Sequence, residues 1–201
     1  MILVRMRSFL IEEIKLIGVL ALQGNFQSHL EILNKIGKTS KEIKFSKELD
    51  EVEGLIIPGG ESTTIFNLLN REKNFVSEIK SFADSFPILG TCAGLILMSQ
   101  LKNDKIVKSL DIIDALIERN AYGRQINSFS ASIQLKNNLF QERLIQGSFI
   151  RAPKIISYGE STEPFAFFQN EVVGVKSGKH FGITFHPEIF KETFIHEICF
   201  S

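Results

Sequence analysis

The run Leu16-Ile17-Gly18-Val19-Leu20-Ala21-Leu22 is almost wholly apolar and closes on Gln23-Gly24-Asn25. That is the pattern of a strand buried on both faces and the turn that ends it. Phe26, Leu30, Leu33 and Ile36 then recur at helical spacing until Gly37, so a helix follows. Ile43 and Phe45 flank polar residues as in a short second strand, and Gly54-Leu55-Ile56-Ile57-Pro58 predicts a third, buried one running into Gly59-Gly60-Glu61-Ser62-Thr63-Thr64. Helices are predicted over 64–69 and 75–82. Pro87-Ile88-Leu89 opens a fourth strand, which passes through Gly90-Thr91-Cys92-Ala93-Gly94 into the apolar helical run Leu95-Ile96-Leu97. Alternating strands and helices of this length predict an α/β fold with a mostly parallel central sheet and helices on both faces. Its functional loops gather at the C-terminal strand ends. Gln23, Gly59-Gly60 and Cys92 each follow a strand, so they belong on one edge of that sheet.

After Ser99 the pattern changes. Leu110 to Ile117 is apolar but broken by Asp111 and Asp114, and Phe129, Ala131, Ile133 and Leu135 alternate with polar residues. Period-two alternation predicts half-exposed strands, here an antiparallel extension of the main sheet. Gly147 to Pro153 is a further apolar strand with Arg151 near its end, and Phe165–Phe168 and Val172–Val175 predict a hairpin through Gln169-Asn170. The last strand, Phe181 to Phe185, runs directly into His186-Pro187-Glu188, and a closing helix carries Phe190, Phe194 and Ile198. Between the extension strands lies Glu118-Arg119-Asn120-Ala121-Tyr122-Gly123-Arg124-Gln125, too rich in polar donors to be core.

At 201 residues and 44% hydrophobic content the chain suits one well-buried domain. Lys+Arg and Asp+Glu both count 23, leaving no net charge to draw the protein to nucleic acid or an anionic membrane. A small or locally complementary partner is expected instead. Residues 1–15 are partly apolar and basic, but Glu12-Glu13 interrupts them and no A-x-A-like cleavage site follows, so no signal peptide is expected. No run approaches the roughly 18 apolar residues of a spanning helix. Cys92 and Cys199 are then expected to be reduced thiols in a cytoplasmic protein. The eighteen phenylalanines, without any tryptophan, read as core filling. No metal ligand set and no cofactor motif stand out.

Gly90-Thr91-Cys92-Ala93-Gly94 has the G-x-nucleophile-x-G form of a nucleophile elbow, in which a sharp turn holds the central side chain exposed at a helix N-terminus. There the helix's unsatisfied N–H groups favour a thiolate, and the N–H of Ala93 can bind an oxyanion. A thiolate nucleophile needs a base, and the base needs an orienting partner. Of the four histidines, His186 alone sits at a strand end with a carboxylate, Glu188, two residues on. Gly59-Gly60 could turn a second N–H, that of Gly60, toward the same oxyanion. Each feature alone also fits something plainer: a structural cysteine in an ordinary turn, a common His-Pro-Glu turn, a helix start capped by Ser62. Their joint occurrence is what points to chemistry.

Taken in order, Leu22-Gln23-Gly24, Pro58 to Thr64, Gly90 to Gly94, Glu118 to Gln125, Phe149-Ile150-Arg151-Ala152-Pro153 and Phe185 to Glu188 resemble the class I (triad) glutamine amidotransferases. More narrowly, they resemble the family of glutaminase subunits of pyridoxal 5′-phosphate synthases. The elbow and His-Pro-Glu are common to the class, whereas the Pro58, Arg119 and Ile150 stretches are particular to the vitamin B6 branch. The resemblance runs from about Leu16 to the C-terminus, leaving 1–15 as an N-terminal extension to a glutaminase domain of residues 16–201. It implies a flavodoxin-like three-layer fold and hydrolysis of L-glutamine to glutamate and ammonia. It also implies Cys92, His186 and Glu188 as the triad, Gly60 and Ala93 as the oxyanion hole, and Gly60, Glu61, Ser62, Arg119, Ile150 and Arg151 as glutamine contacts. The implied partner is a (β/α)8-barrel synthase subunit, which the Gln23 loop would face. Three other readings are a glutaminase of another pathway such as histidine biosynthesis, a non-catalytic regulatory module, and a cysteine peptidase or deglycase on a similar scaffold.

Overall fold

The computed structural model describes residues 16–104, 106–119, 128–138 and 140–201, so the expected extension at 1–15 and the stretch 120–125 lie outside the described residues. The chain begins as the pattern requires, with β1 (Leu16–Leu20), α1 (Phe26–Lys35), β2 (Thr39–Ile43), β3 (Gly54–Ile57), α2 (Ser62–Leu69), α3 (Phe75–Ser85), β4 (Ile88–Thr91) and α4 (Ala93–Met98). It continues with β5 (Ser99–Leu101), β6 (Ile113–Glu118), β7 (Ser128–Asn137), β8 (Phe140–Ile150), β9 (Lys154–Tyr158), β10 (Thr162–Phe168), β11 (Glu171–Ser177), β12 (His180–Ile183) and α5 (Phe194–Cys199).

Nine strands form one sheet in the order β2-β1-β3-β4-β12-β11-β10-β7-β8. The first five are parallel to their neighbours, and from β12 onward every pairing is antiparallel. Both faces of the parallel half are covered. Leu55 and Ile57 of β3 point into one apolar cluster with residues of α2, α3 and α4, while Ile56 points into the other with Leu33 of α1 and Ile195 of α5. Period-two alternation inside an all-apolar strand thus feeds two cores at once. The β10–β11 hairpin turns through Gln169 (φ 48°) and Asn170 (φ 68°), the paired positive values of a type I′ turn.

Four details differ from the sequence pattern. The second strand ends at Ile43 and leaves Phe45 55% exposed, because a 3₁₀ turn over Ser46–Glu51 starts right after it. The Leu110–Ile117 stretch does not extend the main sheet. Its strand β6 pairs parallel with β5 and antiparallel with β9 in a separate three-stranded sheet, since alternation sets which face is buried but not which sheet supplies the partner. The strand holding Gly147 begins earlier, at Phe140. Phe190 belongs to a 3₁₀ turn, Glu188–Phe190, not to the closing helix; Lys191 in the left-handed region (φ 56°) ends that turn, and α5 starts only at Phe194.

The phenylalanines mostly fill the core, as expected. Phe165 is fully buried and meets Phe140 and Phe181 edge-on, at centroid distances of 6.5 and 5.3 Å. Phe165→Ala should therefore cost about 3–5 kcal/mol through the cavity it leaves, read as a lower denaturant midpoint with an unchanged slope.

Candidate active site

The parallel strands β1, β3, β4 and β12 end level with one another, and the loops leaving them surround a cleft of about 390 Å³. Cys92 stands at its floor, between β4 and α4, with φ 49° and ψ −99°. This is a sparsely populated region for a residue with a Cβ, and holding it there costs of the order of 1–3 kcal/mol. The surroundings over-determine the strain. The Cys92 N–H donates to the Ile183 carbonyl of β12 at 2.8 Å, and Gly94 lies so close under the Ile57 carbonyl of β3 that a Cβ there would overlap it. A side chain at position 94 would push α4 off the sheet and undo the elbow.

His186 leaves β12 into the same cleft and is pinned by backbone hydrogen bonds in both directions with Ser148 (2.8 and 3.2 Å). Its Nδ1 meets Glu188 Oε1 at 2.7 Å, with Glu188 2% and His186 6% exposed. Pro187, at φ −70°, starts the tight turn that brings the carboxylate back under the ring. Burial by itself would push His186 down, but its interactions with Cys92 and Glu188 outweigh that and raise it to about 10. Burial would likewise push Glu188 up, yet the nearby His29 and the bond to His186 bring it down to about 2. The pair is thus an imidazolium–carboxylate pair. The Cys92 Sγ lies 3.8 Å from the Ile150 carbonyl oxygen, with His186 beside it; catalytic hydrogen bonds commonly align only once substrate is bound.

The remaining expected residues divide between lining and bracing. Gly60, Glu61, Ser62, Arg119, Ile150 and Arg151 all line the cleft with Cys92 and His186, and Ala93 opens α4 directly behind the sulfur. Glu61, not Ser62, caps α2. Its carboxylate accepts from Thr63 N, Thr64 N and Thr64 Oγ1 at 3.1, 2.6 and 2.7 Å, and those bonds outweigh burial and hold it below the usual carboxylate range. A longer side chain reaches the N–H groups from one residue further out. Gln23 also lines the cleft, and its Oε1 accepts from the Glu61 N–H at 2.8 Å. Arg119 is 20% exposed and anchored on three sides: Asp104 Oδ2 at 2.6 Å, Thr63 Oγ1 at 3.1 Å and Glu61 Oε1 at 3.7 Å. Arg151 is exposed, with its backbone in the left-handed region (φ 44°).

With this geometry in place, the chain can be set beside known proteins. The model of the SNO glutamine amidotransferase family matches residues 19–199. The chain belongs to this family. It is 40% identical over 181 residues to the pyridoxal 5'-phosphate synthase subunit PdxT of Thermosipho africanus (strain TCF52B), covering 90% of this chain and 95% of that protein. The PdxT protein of Francisella tularensis subsp. tularensis (strain WY96-3418) is 39% identical with the same coverage. Among solved structures, a crystal structure of a glutamine amidotransferase superposes with a TM-score of 0.84 at 35% identity, over 91% of this chain and 96% of that one. A chain of PurLQS from Thermotoga maritima is 16% identical with a TM-score of 0.66, over 94% of both chains, and shares the fold.

Sequence reasoning passed over two side chains that this family member places at the site. Asp104 anchors Arg119 while accepting from the Ile106 and Val107 N–H groups at 2.8 and 3.0 Å, and nothing in a turn carboxylate signals a partner 15 residues on. His29 of α1 lies 3.7 Å from Glu188; a histidine among apolar positions of an amphipathic helix is the one signal in the sequence.

The shifted groups give stability a pH optimum. Glu188 contributes above its unfolded value of 4.5 and loses that contribution as pH falls toward 2, while His186 contributes below 6.5 and loses it as pH rises toward 10. His180 and His196, held neutral mainly by burial at about 4 and about 3, favour the fold above 6.5 and less so as pH falls through those values. The thermal midpoint should therefore peak near pH 6.5, and His180→Asn should flatten the acid limb without touching the cleft, as scanning fluorimetry across pH would read.

Proposed function

We propose that this chain is the glutaminase subunit of a pyridoxal 5′-phosphate synthase, hydrolysing L-glutamine through Cys92, His186 and Glu188. The observation that carries the mechanism is the meeting of the strained Cys92 and the Glu188-paired His186 on one cleft that Arg119, Arg151 and the Gly59-Gly60 loop also line. Sulfur attacks the carboxamide carbon as a thiolate, its proton already held by the His186 imidazolium. The tetrahedral oxyanion is held by the N–H groups of Gly60 and Ala93, and His186 returns the proton to the departing ammonia. The resulting thioester is then cleaved by water that His186 deprotonates. The products are glutamate and ammonia, with Cys92 restored. Glu188 stays ionised throughout and keeps the ring facing the sulfur.

Arg119 is the residue we assign to the α-carboxylate of glutamine. Its planar fork suits a carboxylate, and its anchorage by Asp104 and Thr63 means little side-chain freedom remains to be lost on binding. Ile150 and Arg151 contribute through the backbone turn that the positive φ of Arg151 creates. Gly60, Glu61 and Ser62 form the opposite wall.

Ammonia is a nucleophile only when unprotonated, so release into water would waste it, and a synthase subunit must receive it. We take that partner to be a (β/α)8 barrel docked over the cleft rim at the Gln23 loop, in the cytoplasm, with residues 16–201 acting as one glutaminase domain and 1–15 as an extension. Co-purified with such a barrel, the wild type should support glutamine-dependent pyridoxal phosphate formation. Cys92→Ala should abolish it, by about 10⁴-fold or more, while added ammonium salt still feeds the synthase. A wild-type glutaminase that hydrolyses glutamine at full rate alone, unstimulated by any synthase subunit, would overturn the coupled reading. Asp104→Ala should raise KM for glutamine about tenfold, equivalent to about 1.4 kcal/mol, with kcat little changed, because it frees the binding arginine without moving the sulfur.

A further inference from the structure

Behind the triad, where α1 and α5 pack on one face of the sheet, two fully buried histidines meet. His29 Nδ1 of α1 lies 2.9 Å from His196 Nε2 of α5, and both residues are 0% exposed. The other nitrogen of His29, Nε2, points at the catalytic machinery: Thr91 Oγ1 is 3.4 Å away and Glu188 Oε1 3.7 Å. Thr91 Oγ1 in turn accepts the Gly59 N–H at 2.9 Å, and Gly59 is packed so tightly on the His186 ring that a Cβ there would collide with it. Burying two imidazoles in a helix–helix contact costs free energy that leucines would not. Here their polar atoms converge on the carboxylate and on the loop bearing the oxyanion amides.

The hydrogen-bond partners decide which tautomer is present. His196 Nδ1 and Glu188 Oε2 have no hydrogen-bond partner among the described residues. If His29 donated from Nδ1 to His196, then His196 would bury an unpaired N–H and His29 would aim a lone pair at a carboxylate. If instead His196 donates from Nε2, its unpaired Nδ1 is only an acceptor, and His29 carries its proton on Nε2, facing Glu188 and Thr91. Buried unpaired donors are the rarer outcome, so the second arrangement is assigned.

We propose that His29, held in the Nε2–H tautomer by His196, is a positioning residue for the reaction. Its N–H dipole keeps Glu188 ionised and aimed at His186, and its contact with Thr91 sets the Gly59 loop. The inference rests on the triad reading above. The titratable groups gathered here come from four elements: Glu188 and His186 after β12, His29 on α1, His196 on α5 and Cys92 at the start of α4. Burial keeps His29 and His196 neutral, both lowered from their usual value, so His29 acts as a dipole and not as a second base.

The test uses three variants, His29→Leu, His29→Gln and His196→Leu, each in complex with the synthase subunit, with folding checked by thermal midpoint. Glutamine kcat and KM are measured from pH 5 to 9, together with the rate at which iodoacetamide alkylates Cys92. His29→Leu should lower kcat about tenfold or more, the usual scale for a residue that orients a reacting group from behind, and leave KM near wild type. Without the N–H, Glu188 takes up a proton more readily, so the acid limb of both profiles should move to higher pH. His29→Gln, whose amide can replace the N–H, should recover most of kcat and the limb, and His196→Leu should shift it the same way to a smaller extent. Should His29→Leu not fold, the Gln and His196 variants read the same limb. Equal impairment of the Leu and Gln variants with wild-type limbs, or wild-type kinetics in all three, would overturn the proposal. Glu188→Gln and Cys92→Ala run alongside: their activity would sink the triad reading itself, whereas their inactivity beside normal His29 variants would sink only this one.

Discussion

A carboxylate 2% exposed is tolerable only with a charged partner, and the pair of Glu188 with His186 is the constraint to which the rest of this structure answers. Removing two charges from water costs several kcal/mol each unless they meet with good geometry. The 2.7 Å contact supplies that geometry, and β12 and Pro187 supply the backbone that enforces it. The same pairing makes the imidazole a strong enough base to stand as imidazolium beside Cys92. One interaction thus solves a burial problem and sets up acid–base chemistry.

The parallel half of the sheet is what lets residues from distant parts of the chain share this pair. With β1, β3, β4 and β12 side by side, their C-terminal ends deliver Gln23, Gly59, Cys92 and His186 to one rim. The tight spots lie where these elements touch: Gly94 beneath β3, Gly59 against the imidazole. Strain at Cys92 is stored in the elbow and offset by the ladder bond to Ile183 and by the two apolar clusters on either face. Of the antiparallel half, it is the last strand in the order, β8, that returns to this edge, where Ser148 bonds His186 and the Ile150 carbonyl lies by the sulfur.

Charge around the cleft is arranged as braces. Glu61 spends its carboxylate on the start of α2 and Asp104 on a turn and on Arg119, while the neutral Gln23 carboxamide accepts the Glu61 N–H. Each brace fixes a group that lines the cleft, so the walls are held in place by bonds within the protein.

The parallel strands, their helices, the elbow, and the His-Pro-Glu turn were legible along the chain because each is written in local terms: apolar runs, helical spacing, glycines at sharp turns. The strand ends of Leu22, Pro58, Gly90 and Phe185 were enough to put Cys92 and the His186–Glu188 pair on one edge. What distance in sequence conceals, only the tertiary structure decided. The Leu110–Ile117 strand shows the right alternation for a sheet edge yet pairs in a second sheet, because a period of two specifies a buried face and not a neighbour. The roles of Asp104 and Ser148, and of His29 with its partner His196 across 167 residues, are equally invisible, since a polar side chain declares its chemistry in sequence but finds its partner only when the chain is packed.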